Sequence, residues 1–130
     1  MSFSAVSLLR LGTVHPDLQR VCQRAVQSIN FSVICGHRGQ EEQDRAYAEG
    51  KSKVRWPDGE HNQTPSRAVD LAPIPLDWNN RAAFVELACH ILAAANEEGV
   101  RVRWGGDWNR NGRMEDERFV DLPHFELWKG

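Results

Sequence analysis

The chain has 130 residues, 41% of them hydrophobic, and a formal net charge of −2. That size and composition suit one domain with one core, spanning 1–130. The slightly acidic balance speaks against a general nucleic-acid binder, which is clearly basic, and no apolar run nears the about 20 residues that cross a bilayer.

The opening "MSFSAVSLLRLGTVHPDL" is mildly apolar, but it lacks a basic start and is interrupted by Arg10, so it does not read as a secretory signal. The protein is expected to stay in the cytosol until something releases it. From His15 to Asn30, Leu18, Val21, Cys22, Ala25, Val26 and Ile29 fall at helical spacing. Pro16 suits the first turn of that helix, and Asp17 its positive end. "FSVIC", 31–35, is β-branched and aromatic and stops at Gly36, which predicts a buried strand. "QEEQDRAYAEG" predicts a short helix with acids in its first turn and Gly50 as its stop.

Residues 51–66, with Pro57, Gly59 and Pro65, read as loop, and "RAVDLAP" as a strand ended by Pro73 and Pro75. Residues 79–98 predict the longest helix, with Phe84, Leu87, Ala88, Ile91, Leu92 and Ala95 in one stripe and Gly99 as its cap. "VRVRW" alternates as a half-buried strand does, "GGDWNRNGRMEDER" is loop, and "HFELW" closes the chain as a strand. Helices and strands mix without a strict βαβ rhythm. That favours an α+β fold with a small, mostly antiparallel sheet. Cys22, Cys35 and Cys89 are odd in number and widely spaced, with no CxxC; they read as small buried hydrophobes rather than as disulfides or thiolate metal ligands.

Strand alternation sorts the polar residues. In "RAVDLA", Val69 and Leu71 face one way and Ala68, Asp70 and Ala72 the other; in "HFELW", Phe125 and Leu127 oppose His124, Glu126 and Trp128. If the two strands are neighbours, Asp70 and His124 meet on one side of the sheet, and the turn at 61–66 can bring His61 over them. Two imidazoles and a carboxylate make three ligands for a tetrahedral zinc, with a fourth vertex for water. Amide hydrolysis also needs a carboxylate to carry the water's proton to the leaving amine. Asp121, in "DLPH", is three residues before His124, and Pro123 makes a bend there that can aim both at one point. Taken alone, such pairs are more often surface contacts or capped turns.

"VHPDLQRV", "FSVICGHRGQEEQ", "GKSK", "HNQTPSRAVDLAP", "RWGGDW" and "DLPHFEL" occur in this order along nearly the whole chain. Together they resemble the peptidoglycan peptidases of the M15 family, the D-alanyl-D-alanine carboxypeptidase and L-alanyl-D-glutamate endopeptidase group, and most of all its phage endolysin branch. That family carries a motif of the form SxHxxGxAxD, then a carboxylate shortly before a final His. The resemblance implies a zinc-bearing antiparallel sheet flanked by helices, with His61, Asp70 and His124 as zinc ligands, Asp121 as catalytic base and acid, and Arg38 in contact with substrate. Here the His-to-Asp gap is two residues longer, Ser66 stands where the motif has Gly, and Gly59 or Glu60 stands where it has Ser. The extra residues fall in the turn, where insertions are tolerated.

The residues around this set keep two readings each. Arg38 offers a planar fork suited to substrate carboxylates or an oxyanion, against a structural salt bridge to Glu41 or Glu42. Glu126 either orients His124 or is a solvated strand residue. His15 borders a helix start, His90 flanks the long helix, and His37 sits beside Arg38 near the cleft. Trp104, Trp108 and Trp128 read first as a small core under the site. "DWNRNGRMEDER" places Asp107, Asn109, Asn111 and Glu115 at calcium-loop positions, with Gly112 at the sharp turn, but Arg118 stands where a bidentate Glu belongs. A polar turn and a weak calcium site are the two alternatives.

The resemblance implies a monomeric enzyme that hydrolyses the L-alanyl-D-glutamate bond of the peptidoglycan stem peptide during phage lysis. A D-alanyl bond or cross-link is the second target. Such an enzyme would wait in the host cytoplasm and reach the wall when the membrane is breached. The rival reading is a non-catalytic zinc module, as in Hedgehog-type signalling domains that share the scaffold.

Overall fold

The computed structural model describes residues 2–115, 117 and 120–128. In chain order it forms α1 (Ala5–Leu11), α2 (Pro16–Ala25), β1 (Phe31–Cys35), α3 (Gln40–Ala48), a 3-10 turn (Glu60–Asn62), β2 (Ala68–Pro73), α4 (Arg81–Glu98), β3 (Val102–Trp104) and β4 (His124–Leu127). The strands make one antiparallel sheet in the order β1-β2-β4-β3. The expected α+β class with a small antiparallel sheet is what is found.

The predicted elements start and stop largely where local chemistry dictates. α2 begins at Pro16 behind His15, whose Nδ1 accepts from Asp17 N at 3.0 Å. It ends at Ala25 rather than Asn30: Gln27 N and Ser28 N reach back only three residues, to Arg24 O and Ala25 O, and tighten the chain towards β1. α4 is capped by Asn80 Oδ1, which accepts from Ala83 N at 3.1 Å, and by Gly99 with φ +71°. That positive φ favours a residue without a side chain.

α1 is an element the pattern along the chain does not announce. It is only seven residues long, and it turns Val6, Leu8 and Leu9 outward. Besides burying Leu11 in the core it works through polar groups: Ser7 Oγ accepts from Val33 N at 3.0 Å, and Arg10 Nη1 donates to Val33 O at 3.1 Å. Those two bonds satisfy backbone groups of edge strand β1 that no further strand meets.

The core fills one face of the sheet. Val33, Val69, Leu71, Phe125 and Leu127 pack there against Leu18, Val21 and Cys22 of α2 and Leu87, Ala88 and Ile91 of α4. Burying each large aliphatic side chain contributes about 1.5–3 kcal/mol. Every strand residue named alternates with one on the opposite face, so a rigid core presents Asp70, His124 and Glu126 from a fixed platform. The cysteines depart from expectation. Cys22 is buried, and burial pushes its thiol up to about 12, whereas Cys35 is half-buried and Cys89 exposed. Cys89 lies on the solvent side of α4, off its apolar stripe.

Candidate metal centre and active site

β2 and β4 are neighbours, and their register sets Asp70 directly opposite His124 and Ala68 opposite Glu126. His61 arrives from the 3-10 turn, held over the sheet by Arg38 N, which donates to His61 O at 2.8 Å. His61 Nε2 lies 3.2 Å from Asp70 Oδ1 and 3.2 Å from His124 Nδ1, and His124 Nδ1 lies 3.4 Å from Asp70 Oδ1. A tetrahedron with ligand bonds of about 2.0–2.1 Å has edges of roughly 3.3 Å. The triangle already has the dimensions of one face of such a tetrahedron. Among the described residues, His61, Asp70 and His124 are a group of His, Cys, Asp and Glu ligand atoms gathered closely enough to hold a metal ion.

The outer ring nitrogens give a second test of fit. His61 Nδ1 is 2.8 Å from Gly36 O, and His124 Nε2 is 2.7 Å from Glu126 Oε1. A carbonyl and a carboxylate only accept, so both outer nitrogens carry protons. In the neutral rings the inner nitrogens then face each other with lone pairs at 3.2 Å. Such an arrangement needs a cation between them, and carbonyl or carboxylate partners on the far nitrogens are what metal-ligating histidines have.

Without a metal, protons take that place. Burial alone would lower His61, but the Asp70 carboxylate outweighs it and lifts the imidazole to about 10. Burial opposes Asp70's charge in turn, yet the two imidazoles hold its carboxyl far below the ordinary range. His124 is raised as well: burial works against it, and its bonds to Asp70 and Glu126 prevail.

Asp121 lies in the same cleft, of about 660 Å³, whose lining includes Arg38, His61, Trp108, His124 and Glu126. The bend expected at Pro123 is present as a turn, closed by His124 N donating to Asp121 O at 3.1 Å. Burial, then the nearby Asp70 charge, raises the Asp121 carboxyl above its ordinary value. A carboxylate made more basic in this way is better matched to accepting a proton near neutrality.

Arg38 does not pair with Glu41 or Glu42 among the described residues. Its Nη2 donates to Asp70 Oδ2 at 3.4 Å, and its Nη1 to Gln43 Oε1 at 3.2 Å. Asp70 is thus divided, one oxygen facing the imidazoles and the other the guanidinium. Glu126 is no solvated strand residue: it is buried between His124 and Arg103 Nη2, which donates to its Oε2 at 2.7 Å. Burial raises its carboxyl, but the His124 and Arg103 partners hold it below the usual range.

The three tryptophans do not share one core. Trp104 is buried against Phe125, Trp108 lies 5.3 Å from the His124 ring in the cleft, and Trp128 sits under the guanidinium groups of Arg101 and Arg110. His37 is not among the residues lining the cleft. In the 107–115 segment, Asp107 accepts from Asn111 N and Gly112 N, Asn111 Oδ1 accepts from Arg113 N, and Glu115 pairs with Arg113 at 3.2 Å. These bonds account for a polar turn, with Glu115 paired to Arg113; Arg118 lies outside the described residues.

The model of the family described as "Phage L-alanyl-D-glutamate peptidase" matches residues 1–128. The chain belongs to that family. It is 32% identical to the L-alanyl-D-glutamate peptidase of Escherichia phage T5, over 96% of each chain. In structure it is similar to the Serratia marcescens L-Ala D-Glu endopeptidase ChiX, with a TM-score of 0.78 at 30% identity, covering 98% of this chain and 90% of that one.

Two residues of the candidate site escape a reading of the sequence. Gln43 is buried, and its amide donates to Val54 O at 2.6 Å and to Ser52 Oγ at 3.0 Å, while its carbonyl oxygen receives Arg38 and Asn62 Nδ2, the latter at 3.1 Å. It ties the arginine, the histidine turn and the cleft wall together. The available signal was that α3 has almost no large apolar residues, so its inward face had to be polar. Arg103 was legible from the alternation of "VRVRW", but only once β3 is known to lie beside β4 with Arg103 opposite Glu126.

Proposed function

We propose that this protein is a zinc-dependent endopeptidase of the M15 type that cleaves the L-alanyl-D-glutamate bond of peptidoglycan stem peptides. The observation that carries the proposal is the His61–Asp70–His124 triangle, sized for a tetrahedral ion, whose two histidines line one cleft with Asp121. The family match supports the bond. The donor set supports zinc, since two imidazoles and one carboxylate with an open vertex is a catalytic pattern for that ion. When bound, zinc would polarise the scissile carbonyl and make a water acidic enough to attack near neutral pH.

The chain's own residues supply the rest. Asp121 takes a proton from the attacking water and returns it to the leaving amine of the D-glutamate residue, so one carboxyl acts as base and then as acid. Glu126 and Gly36 keep the two imidazoles in the tautomers that leave their inner nitrogens free. Arg38, tethered to Asp70 and Gln43, offers its charge to the carbonyl oxygen as that oxygen becomes negative. Trp108 forms an apolar wall beside His124.

The setting we infer is phage lysis: a monomer held in the host cytoplasm that meets peptidoglycan once the membrane is breached. A calcium ion at Asp107, Asn109, Asn111 and Glu115 is a secondary proposal. Calorimetry with millimolar calcium tests it, and absence of heat removes it. The main test is digestion of purified peptidoglycan followed by mass spectrometry. New amino-terminal D-glutamate is expected. New D-alanine ends would support the alternative target, and intact peptidoglycan with zinc bound would support a non-catalytic module.

A further inference from the structure

The turn that joins Asp121 to His124 is fastened through its main chain. Its four successive carbonyls each have a donor: Asp121 O takes His124 N at 3.1 Å, Leu122 O takes Trp104 Nε1 at 2.7 Å, Pro123 O takes Leu71 N at 2.8 Å, and His124 O takes Gly105 N at 2.8 Å. Asp121 N in turn donates to Gly105 O at 2.8 Å. Pro123 is bound to the strand that carries Asp70, and the other bonds out of the turn run to the "WGG" segment at the end of β3.

The two glycines of that segment are required by space. A side chain at Gly105 would overlap the Asp121 carbonyl oxygen, with the Asp121 carbonyl carbon 3.0 Å and Cβ 3.1 Å away. A side chain at Gly106 would meet the Trp104 ring at 2.5 Å. Gly106 thus lets the indole fold back far enough for its N–H to reach Leu122 O, and Gly105 lets the Asp121 backbone come within bonding distance.

We propose that Trp104, Gly105 and Gly106 form a strut that positions Asp121 for proton transfer, which makes Trp104 a positioning residue as well as a core residue. The inference rests on the peptidase reading above, in which Asp121 carries the proton. The strut acts on the base more than on the ligands. Asp70 and His124 are also fixed by the β2–β4 ladder, whereas Asp121 lies beyond the end of β4 and depends on the turn.

Trp104→Phe keeps a ring against Phe125 and deletes the N–H. Displacing a reacting group by about 1 Å costs up to 100-fold in rate, so kcat on a defined muropeptide should fall about 10- to 100-fold, with KM and metal content unchanged. In metal-free protein, hydrogen exchange at the Asp121 and Gly105 amides should quicken while that at Val69 stays slow. Gly105→Ala should act in the same direction and more strongly; should it not fold, Trp104→Phe decides alone. Leu87→Ala in α4 is the control: it lowers the melting temperature and leaves kcat as it was. A Trp104→Phe enzyme within twofold of wild-type kcat overturns the strut, as does loss of metal or an equal kcat loss in Leu87→Ala. Wild-type protein inactive on the muropeptide would instead sink the peptidase reading, and the proposal with it.

Discussion

Replacing Glu126 by Gln changes one atom and disturbs two bonds at once. One carboxylate oxygen accepts from His124 Nε2 at 2.7 Å and the other from Arg103 Nη2 at 2.7 Å, in a buried position. A carboxamide has one accepting oxygen. If it faces His124, its NH2 meets the Arg103 donor. If it faces Arg103, His124 must move its proton to Nδ1, the atom aimed at Asp70 and His61, and that nitrogen can no longer ligate. Arg103 has no slack to absorb the change, since among the described residues its buried Nε already lacks a hydrogen-bond partner. Loss of such a partner behind a ligating histidine weakens metal affinity about 10- to 100-fold, or about 1.4–2.8 kcal/mol. The assay is a competition titration of zinc against a chromophoric chelator, with melting curves of metal-free and loaded protein alongside. Zinc affinity within twofold of wild type would refute the reasoning, because it would mean that Glu126 neither sets the His124 tautomer nor supports the ligand.

Stability of the metal-free protein should depend on pH through the His61–Asp70 pair. His61 is raised to about 10 from an unfolded value of about 6.5, so its contribution is complete below about 6.5 and is lost as pH rises through 10. Asp70 is lowered, so the same pair contributes above an unfolded value of about 3.9 and fades as pH falls below it. Melting temperatures after chelation should therefore decline from pH 6 to 9, while the gap to loaded protein widens because metal must displace the proton; a rise in the metal-free values over that range would contradict this. Asp121→Asn should keep its metal and lose about 10²- to 10⁴-fold in kcat, measured on a muropeptide; wild-type activity would exclude it as the base. Gln43→Leu removes four hydrogen bonds of a buried side chain, although Val54 O keeps Ser52 Oγ and Asn62 Nδ2 keeps Arg38 O, and should destabilise by about 1–3 kcal/mol. It should raise KM through Arg38 with metal retained, and an unchanged melting curve in urea would sink that account.

The long-period features were readable from the chain, and the features made by distant polar pairs were not. α2, α4 and the inward faces of β2 and β4 follow from apolar spacing. That spacing also put Asp70 on the polar face of β2 and His124 with Glu126 on the polar face of β4, but that the two faces coincide followed only from the β2–β4 pairing. Alternation could not say that β4 inserts between β2 and β3, and without that order Arg103 has no reason to meet Glu126. α1 escaped because its Leu8 and Leu9 face solvent and, apart from Leu11 in the core, its structural role rests on Ser7 and Arg10. Gln43 escaped for a related reason: a buried amide with four partners looks, in sequence, like any surface glutamine. Cys89 marks the opposite error, in which a residue with apolar neighbours along the chain lies on the solvent side of the helix while those neighbours fill the core.

The account rests on one ion held by His61, Asp70 and His124. Elemental analysis and metal-edge X-ray absorption on protein purified without added chelator test that most directly. The expected result is about one zinc per chain, bound to nitrogen and oxygen at about 2.0–2.1 Å, with no sulfur neighbour and with the metal lost in His61→Ala. Substoichiometric metal, a sulfur ligand contributed by Cys35 opposite Asp70 on β1, or full retention in His61→Ala would contradict it.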